Sequence, residues 1–127
     1  MKSKLFATLC AGVVLLLVSG PLLAHHGGAQ YDKEHAVTVT GTVTEYLFTN
    51  PHVQIHFDVK DEKGNVEEWL AECPSPNRMS RTGWYKDALK PQDEITITGN
   101  PTKDGSKSIR LEKVLFPNGS TLIGRSR

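Results

Sequence analysis

Cysteine is nearly absent: the chain has two, Cys10 and Cys73. Cys10 sits inside an N-terminal apolar run, and without that run a lone thiol cannot close an internal disulfide. The plainer reading of Cys73 is a small buried filler beside Pro74. Charge of one sign is missing too. The formal net charge is +1, and losing Lys2 and Lys4 with the N-terminal run leaves 13 Lys and Arg against 14 Asp and Glu, a net −1. Nucleic-acid binders carry a clear basic footprint, so no nucleic acid is expected as partner. No apolar run reaches the ~20 residues of a spanning helix. Gly27-Gly28 has no strand before it, so it is not a phosphate loop. No Ser/His/Asp spacing is defensible, and Cys73 has no visible base beside it. The expectation is a protein that is not an enzyme. There is no repeat and no low-complexity segment, and 127 residues hold one domain.

What is present begins with an export pattern. Lys2 and Lys4 precede an apolar run from Leu5 to Val18, Ser19-Gly20-Pro21 breaks it, and Leu22-Leu23-Ala24 follows. A positive start, a short apolar core and a small residue at the end describe a signal peptide, residues 1–24, cleaved after Ala24. The expected address is periplasmic or secreted, with no stable membrane insertion after cleavage. All five histidines, His25, His26, His35, His52 and His56, then fall in the first third of the mature chain. Residues 25–35 read as a polar, histidine-containing arm, and residues 36–127 as the folded domain.

The domain is organised around Ala36 to Lys60. Val53, Ile55, Phe57 and Val59 alternate with His52, Gln54, His56, Asp58 and Lys60, so one row faces a core and the other faces solvent or a ligand. Before Thr49-Asn50-Pro51 the same period runs through Val37, Val39, Val43 and Leu47, interrupted at Gly41. A strand glycine marks a bulge or bend, which lets one long strand serve two sheets of a small barrel. Strand one is expected over Ala36–Phe48, strand two over His52–Lys60 and strand three over Val66–Cys73. The loop at 61–65 places Gly64 at a positive-φ position. Ser75 as N-cap, Pro76 as first residue and Gly83 as terminator predict a short helix over Asn77–Thr82. Trp84, Tyr85 and Leu89 should pack this connection on the barrel. Strand four (Glu94–Thr98, with Ile95 and Ile97 inward) should end at Gly99-Asn100-Pro101. Strand five (Lys107–Phe116, with Ile109, Leu111 and Val114 inward) and a short tail strand (Ser120–Ile123) follow. The order predicts an all-β fold, a small OB-like barrel of five to six strands with one short helix between strands three and four.

Several short motifs occur together: Ala24-His25-His26-Gly27, Thr40-Gly41-Thr42-Val43, Thr49-Asn50-Pro51-His52, Glu68-Trp69, Ser75-Pro76-Asn77, Gly83-Trp84 and Leu89-Lys90-Pro91. In this combination the chain resembles a family of small exported bacterial proteins of unknown function whose mature chains open with Ala-His-His. The resemblance covers nearly the whole mature chain and implies a periplasmic, OB-like protein, without an activity. The chain departs from the pattern at Cys73 and at Gln92, where a glycine before Asp93 is more usual.

The candidate chemistry is metal binding. Cleavage after Ala24 would leave His25 with a free α-amine, pKa ~8, and an imidazole that together close a chelate ring. His26 adds a second imidazole, and nitrogen ligands of this kind favour Cu(II), making copper the candidate cofactor. His52 and His56 complete the candidate metal set, although four strand positions at ~3.3 Å each hold them ~13 Å apart. Either can join His25 if the arm folds back, and His52 beside the turn is the better placed. The plainer readings are a solvated leader and a turn histidine bonded to backbone. Gln54, Trp69 and Trp84, with His56, form a candidate ligand face for a metal-free module binding a small molecule, glycan or peptide. The plainer reading of both tryptophans is core or plug. Glu67, Glu68 and Glu72 read as solvated acids. A structural role beside an envelope protein stays open as the third reading.

Overall fold

The computed structural model describes residues 28–124. The expected signal segment and His25 and His26 lie outside them. Strands β1 (Val37–Leu47), β2 (Gln54–Lys60) and β3 (Val66–Glu72) lead to helix α1 (Pro76–Ser80), then to β4 (Glu94–Pro101), β5 (Ser108–Leu115) and β6 (Thr121–Ile123). β1 pairs antiparallel with β4 through Val37–Thr42 and with β2 through Thr42–Leu47. β2 pairs with β3, β4 with β5, and a short parallel ladder between β3 and β5 closes the ring. The result is a closed five-stranded barrel with β6 added beside β5 and one helix between β3 and β4. This is the OB-like order that the alternation predicts.

β1 changes partner at Gly41–Thr42, and the backbones approach closely there. A Cβ on Gly41 would stand 2.5 Å from the Asp58 carbonyl oxygen and 2.8 Å from the Phe57 ring. Only glycine fits that approach. The register slips two residues later, between Val43 and Glu45, so Thr44 is an extra residue in β1. One added residue turns every later side chain to the other face. Leu47, expected inward with Val43, is therefore replaced against the core by Tyr46 and Phe48.

The other inward rows follow the alternation. Val43, Val53, Ile55, Phe57, Ala71, Ile95, Ile97, Ile109, Leu111 and Val114 are all buried, each large aliphatic or aromatic contributing on the order of 1.5–3 kcal/mol by leaving water. β4 does not stop at Gly99. Its ladder to β5 continues through Pro101, which lacks an amide hydrogen but still accepts from the Asp32 amide at 2.8 Å.

The helix begins at Pro76, one residue earlier than expected, after an extended Ser75, and ends at Ser80, two residues earlier than expected. Trp84 and Leu89 plug the barrel, and the Trp84 indole N–H donates to the Ile123 carbonyl at 3.0 Å. Tyr85 differs from expectation: its ring is exposed, and it contributes its carbonyl, which accepts from Tyr46 Oη at 3.0 Å. Cys73 is buried, and burial pushes its thiol well above the ordinary range, which leaves it inert. Gln92, where glycine was the more usual residue, holds φ at 77° in the left-handed region that glycine occupies without penalty.

The arm is part of the fold from Gln30 onward. Lys103 N–H donates to the Gln30 carbonyl at 2.8 Å, and Tyr31 bridges Thr102 across from β4. Tyr31 is 1% exposed, so the polar arm nonetheless inserts one of the largest buried side chains. Nothing in its aperiodic sequence marks that residue as core.

Candidate functional site

The β3–β5 seam is where the arm, the helix and the barrel wall meet. Tyr31 crosses the seam and donates its hydroxyl to Glu72 Oε2 at 2.6 Å. Burial, then the Glu72 carboxylate, raises the Tyr31 phenol above its ordinary pKa, so it stays a donor. Glu72 stands opposite Gln54 on β2 and opposite Arg110 on β5, which puts all three on the outer face of the barrel. Beside them opens a cavity of about 530 Å³, lined by Gly28, His52, Glu72, Ser75, Arg78 and Arg110 among others.

His52 precedes β2, and its ring is held in one orientation. Nδ1 lies 3.2 Å from the Cys73 carbonyl oxygen. A carbonyl only accepts, so Nδ1 is the donor in this contact, and in the neutral ring Nε2 then carries the lone pair. Metal-bound imidazoles are oriented in this way by a bond from the other ring nitrogen. The plainer reading, a turn histidine bonded to backbone, describes the same contact.

His56 belongs elsewhere. It faces a second cleft with Glu45, Tyr46, Asp58 and Glu68, and its Nδ1 lies 3.4 Å from Glu68 Oε1. The barrel thus separates His52 from His56, one into a cleft with two arginines and one into a cleft with three acids. His35 bonds Asp32 at 2.9 Å on the surface.

The tryptophans do not make a joint ligand face. Trp84 has no exposed surface to offer. Trp69 is half-buried against Phe57, ring centroids 6.3 Å apart, with Lys107 Nζ 5.3 Å from its ring centroid. Its indole nitrogen is buried without a hydrogen-bond partner. Gln54 lies in the outward row of β2, apart from both rings. Among the described residues, no group of three or more His, Cys, Asp or Glu can hold a metal ion, and no helix is long and apolar enough to cross a membrane.

The family model of DUF6152 matches residues 13–110, most of the chain, from before the barrel to the start of β5. The chain belongs to DUF6152, a family of unknown function. No functionally curated protein matches it. Membership therefore adds no chemistry, and the seam has to be read from its own residues. Sequence reasoning picked out His52 there but missed Tyr31, Glu72, Ser75, Arg78 and Arg110 as neighbours. Glu72 and Arg110 sit in the polar rows of their strands, where a charged residue is the ordinary solvated choice and carries no signal.

Proposed function

We propose that this protein is an exported binding protein that holds one copper-type ion where its histidine-bearing arm meets the β3–β5 seam. The observation that carries this reading is that Gly28 and His52 line one cavity. His25 and His26 precede Gly28 by three residues or fewer, a length of chain of at most about 10 Å. The barrel offers one imidazole whose free nitrogen is fixed by the Cys73 carbonyl. The arm would supply the remaining donors: the His25 amine, its ring, and the His26 ring. Four nitrogens of this kind suit the tetragonal preference of Cu(II). His56, in the acidic cleft, is left out of the donor set. The role is read as binding rather than catalysis because the Cys73 thiol is buried with its pKa raised and, among the described residues, the Ser75 hydroxyl has no base hydrogen-bonded to it.

The test is a Cu(II) titration of the processed chain, with its N-terminus verified by intact mass. One equivalent is expected to bind. Binding should weaken strongly when a single alanine is added before His25, and again in His52→Ala. Unchanged affinity with the added alanine removes the chelate. Unchanged affinity in His52→Ala detaches the arm from the cavity.

A further inference from the structure

Two of the three arginines among the described residues, Arg78 on α1 and Arg110 on β5, line the same cavity from different elements. Among the described residues the ion pairs are His35–Asp32, His56–Glu68 and Lys107–Glu67, so no carboxylate lies within 4.0 Å of either guanidinium. The carboxylate that shares the cavity, Glu72, has Oε2 engaged by the Tyr31 hydroxyl. Ser75 stands at the N-cap position of α1 yet makes no capping hydrogen bond, which leaves its hydroxyl available at the cavity wall. Arg110 is also seated from behind, since a Cβ on Gly28 would come within 2.6 Å of its Nη1.

Two guanidinium groups without acidic partners in one recess are matched by an oxyanion. Their planar forks make paired, charge-assisted bonds to a carboxylate or phosphate group, which an ammonium cannot do. We propose that the seam cavity binds a small molecule through a carboxylate or phosphate group held between Arg78 and Arg110, with the Ser75 hydroxyl as a further donor. The volume of about 530 Å³ leaves room for an organic body beyond the anionic group. Glu72 on the same wall repels a second negative charge, so the ligand carries its charge at one end. This subsite stands on the arginines and not on the histidine chelate. The two are compatible, because an anion there also relieves the repulsion a dication would meet from both guanidinium groups.

Metal-free processed protein is titrated with inorganic phosphate in one arm and benzoate in the other, by calorimetry and by amide NMR. At least one anion is expected to bind at one site, with the shifts centred on Ser75, Arg78 and Arg110. Arg78→Ala and Arg110→Lys should each weaken it roughly tenfold or more, as the loss of a charge-assisted hydrogen bond requires. Arg81→Ala, an arginine outside the cavity, should change nothing. Gly28→Ala keeps every charge but pushes the Arg110 guanidinium aside, and it should weaken binding with the melting temperature held. The proposal is overturned if neither anion binds at millimolar concentration, or if Arg81→Ala weakens binding as much as Arg78→Ala. It is equally overturned if Arg78→Ala, Arg110→Lys and Gly28→Ala all bind like the parent. Failure of the copper titration with anion binding intact removes the chelate alone, and the reverse outcome removes the anion subsite alone.

Discussion

Two histidines four residues apart, His52 just before β2 and His56 within it, line clefts of opposite charge. His56 faces Glu45, Asp58 and Glu68, and His52 faces Arg78 and Arg110. The charged groups of the acidic cleft all come from strands β1 to β3, and its one histidine contact is a long 3.4 Å pair with a mostly exposed Glu68. The seam cavity draws on four separate pieces of chain, and its contacts run between residues distant in sequence, 41 apart for Tyr31 and Glu72. Strand-face charges of the first kind cost little to lose. Residues gathered from an arm, a helix and two strands are held in place by the whole fold. The same residue type four positions apart therefore has two prospects, and the surroundings decide which.

The largest effect expected falls on the frame that both clefts share. Trp84→Ala should lower stability by about 3–5 kcal/mol in urea unfolding, from the lost plug and the orphaned Ile123 carbonyl. If it spared stability and abolished ligand binding instead, Trp84 would be a platform after all.

Next comes a change specific to the seam. Tyr31→Phe removes the donor to Glu72 and should cost about 1–2 kcal/mol, while amide shifts around His56 stay put. Its pH dependence has a definite sign. The Tyr31 pKa is raised in the fold, so its contribution is complete below the ordinary tyrosine value near ~10 and is lost as pH rises through the higher folded value. The phenylalanine variant should lack that alkaline loss.

On the acidic side His56→Ala should change stability by less than about 1 kcal/mol and leave Cu(II) affinity unchanged. An effect on copper equal to that of His52→Ala would erase the distinction between the clefts. The smallest effect is expected at a site that touches neither. Gln92→Gly should stabilise by under about 1 kcal/mol in thermal unfolding, with the relief of φ 77° partly offset by the freer unfolded chain.

The barrel was legible because burial on one face writes a period of two, and Ile95, Ile97, Ile109 and Leu111 obey it. Leu47 was misread because the extra residue is Thr44, which has no chemical mark, while the conspicuous Gly41 is a close approach beside it. Pro101 looked like a stop because its missing amide was visible and its accepting carbonyl was not. Of the seam, only His52 was legible. A histidine after Asn-Pro attracts notice, but Arg78 and Arg110 acquire meaning only when two elements bring them together. Tyr31 carried no signal at all, since a polar arm gives no hint of which residue will turn inward.

The ring is completed by only three parallel pairs, Leu70 with Ser108, Ala71 with Ile109 and Glu72 with Arg110. That join is the natural place for the cylinder to breathe, and its amides should exchange with deuterium sooner than those of the longer antiparallel ladders. Any guest lodged between Glu72, Arg110 and Arg78 would span the join like a clasp. Occupancy should then be visible from far outside the recess, as slower exchange across β3 and β5 together.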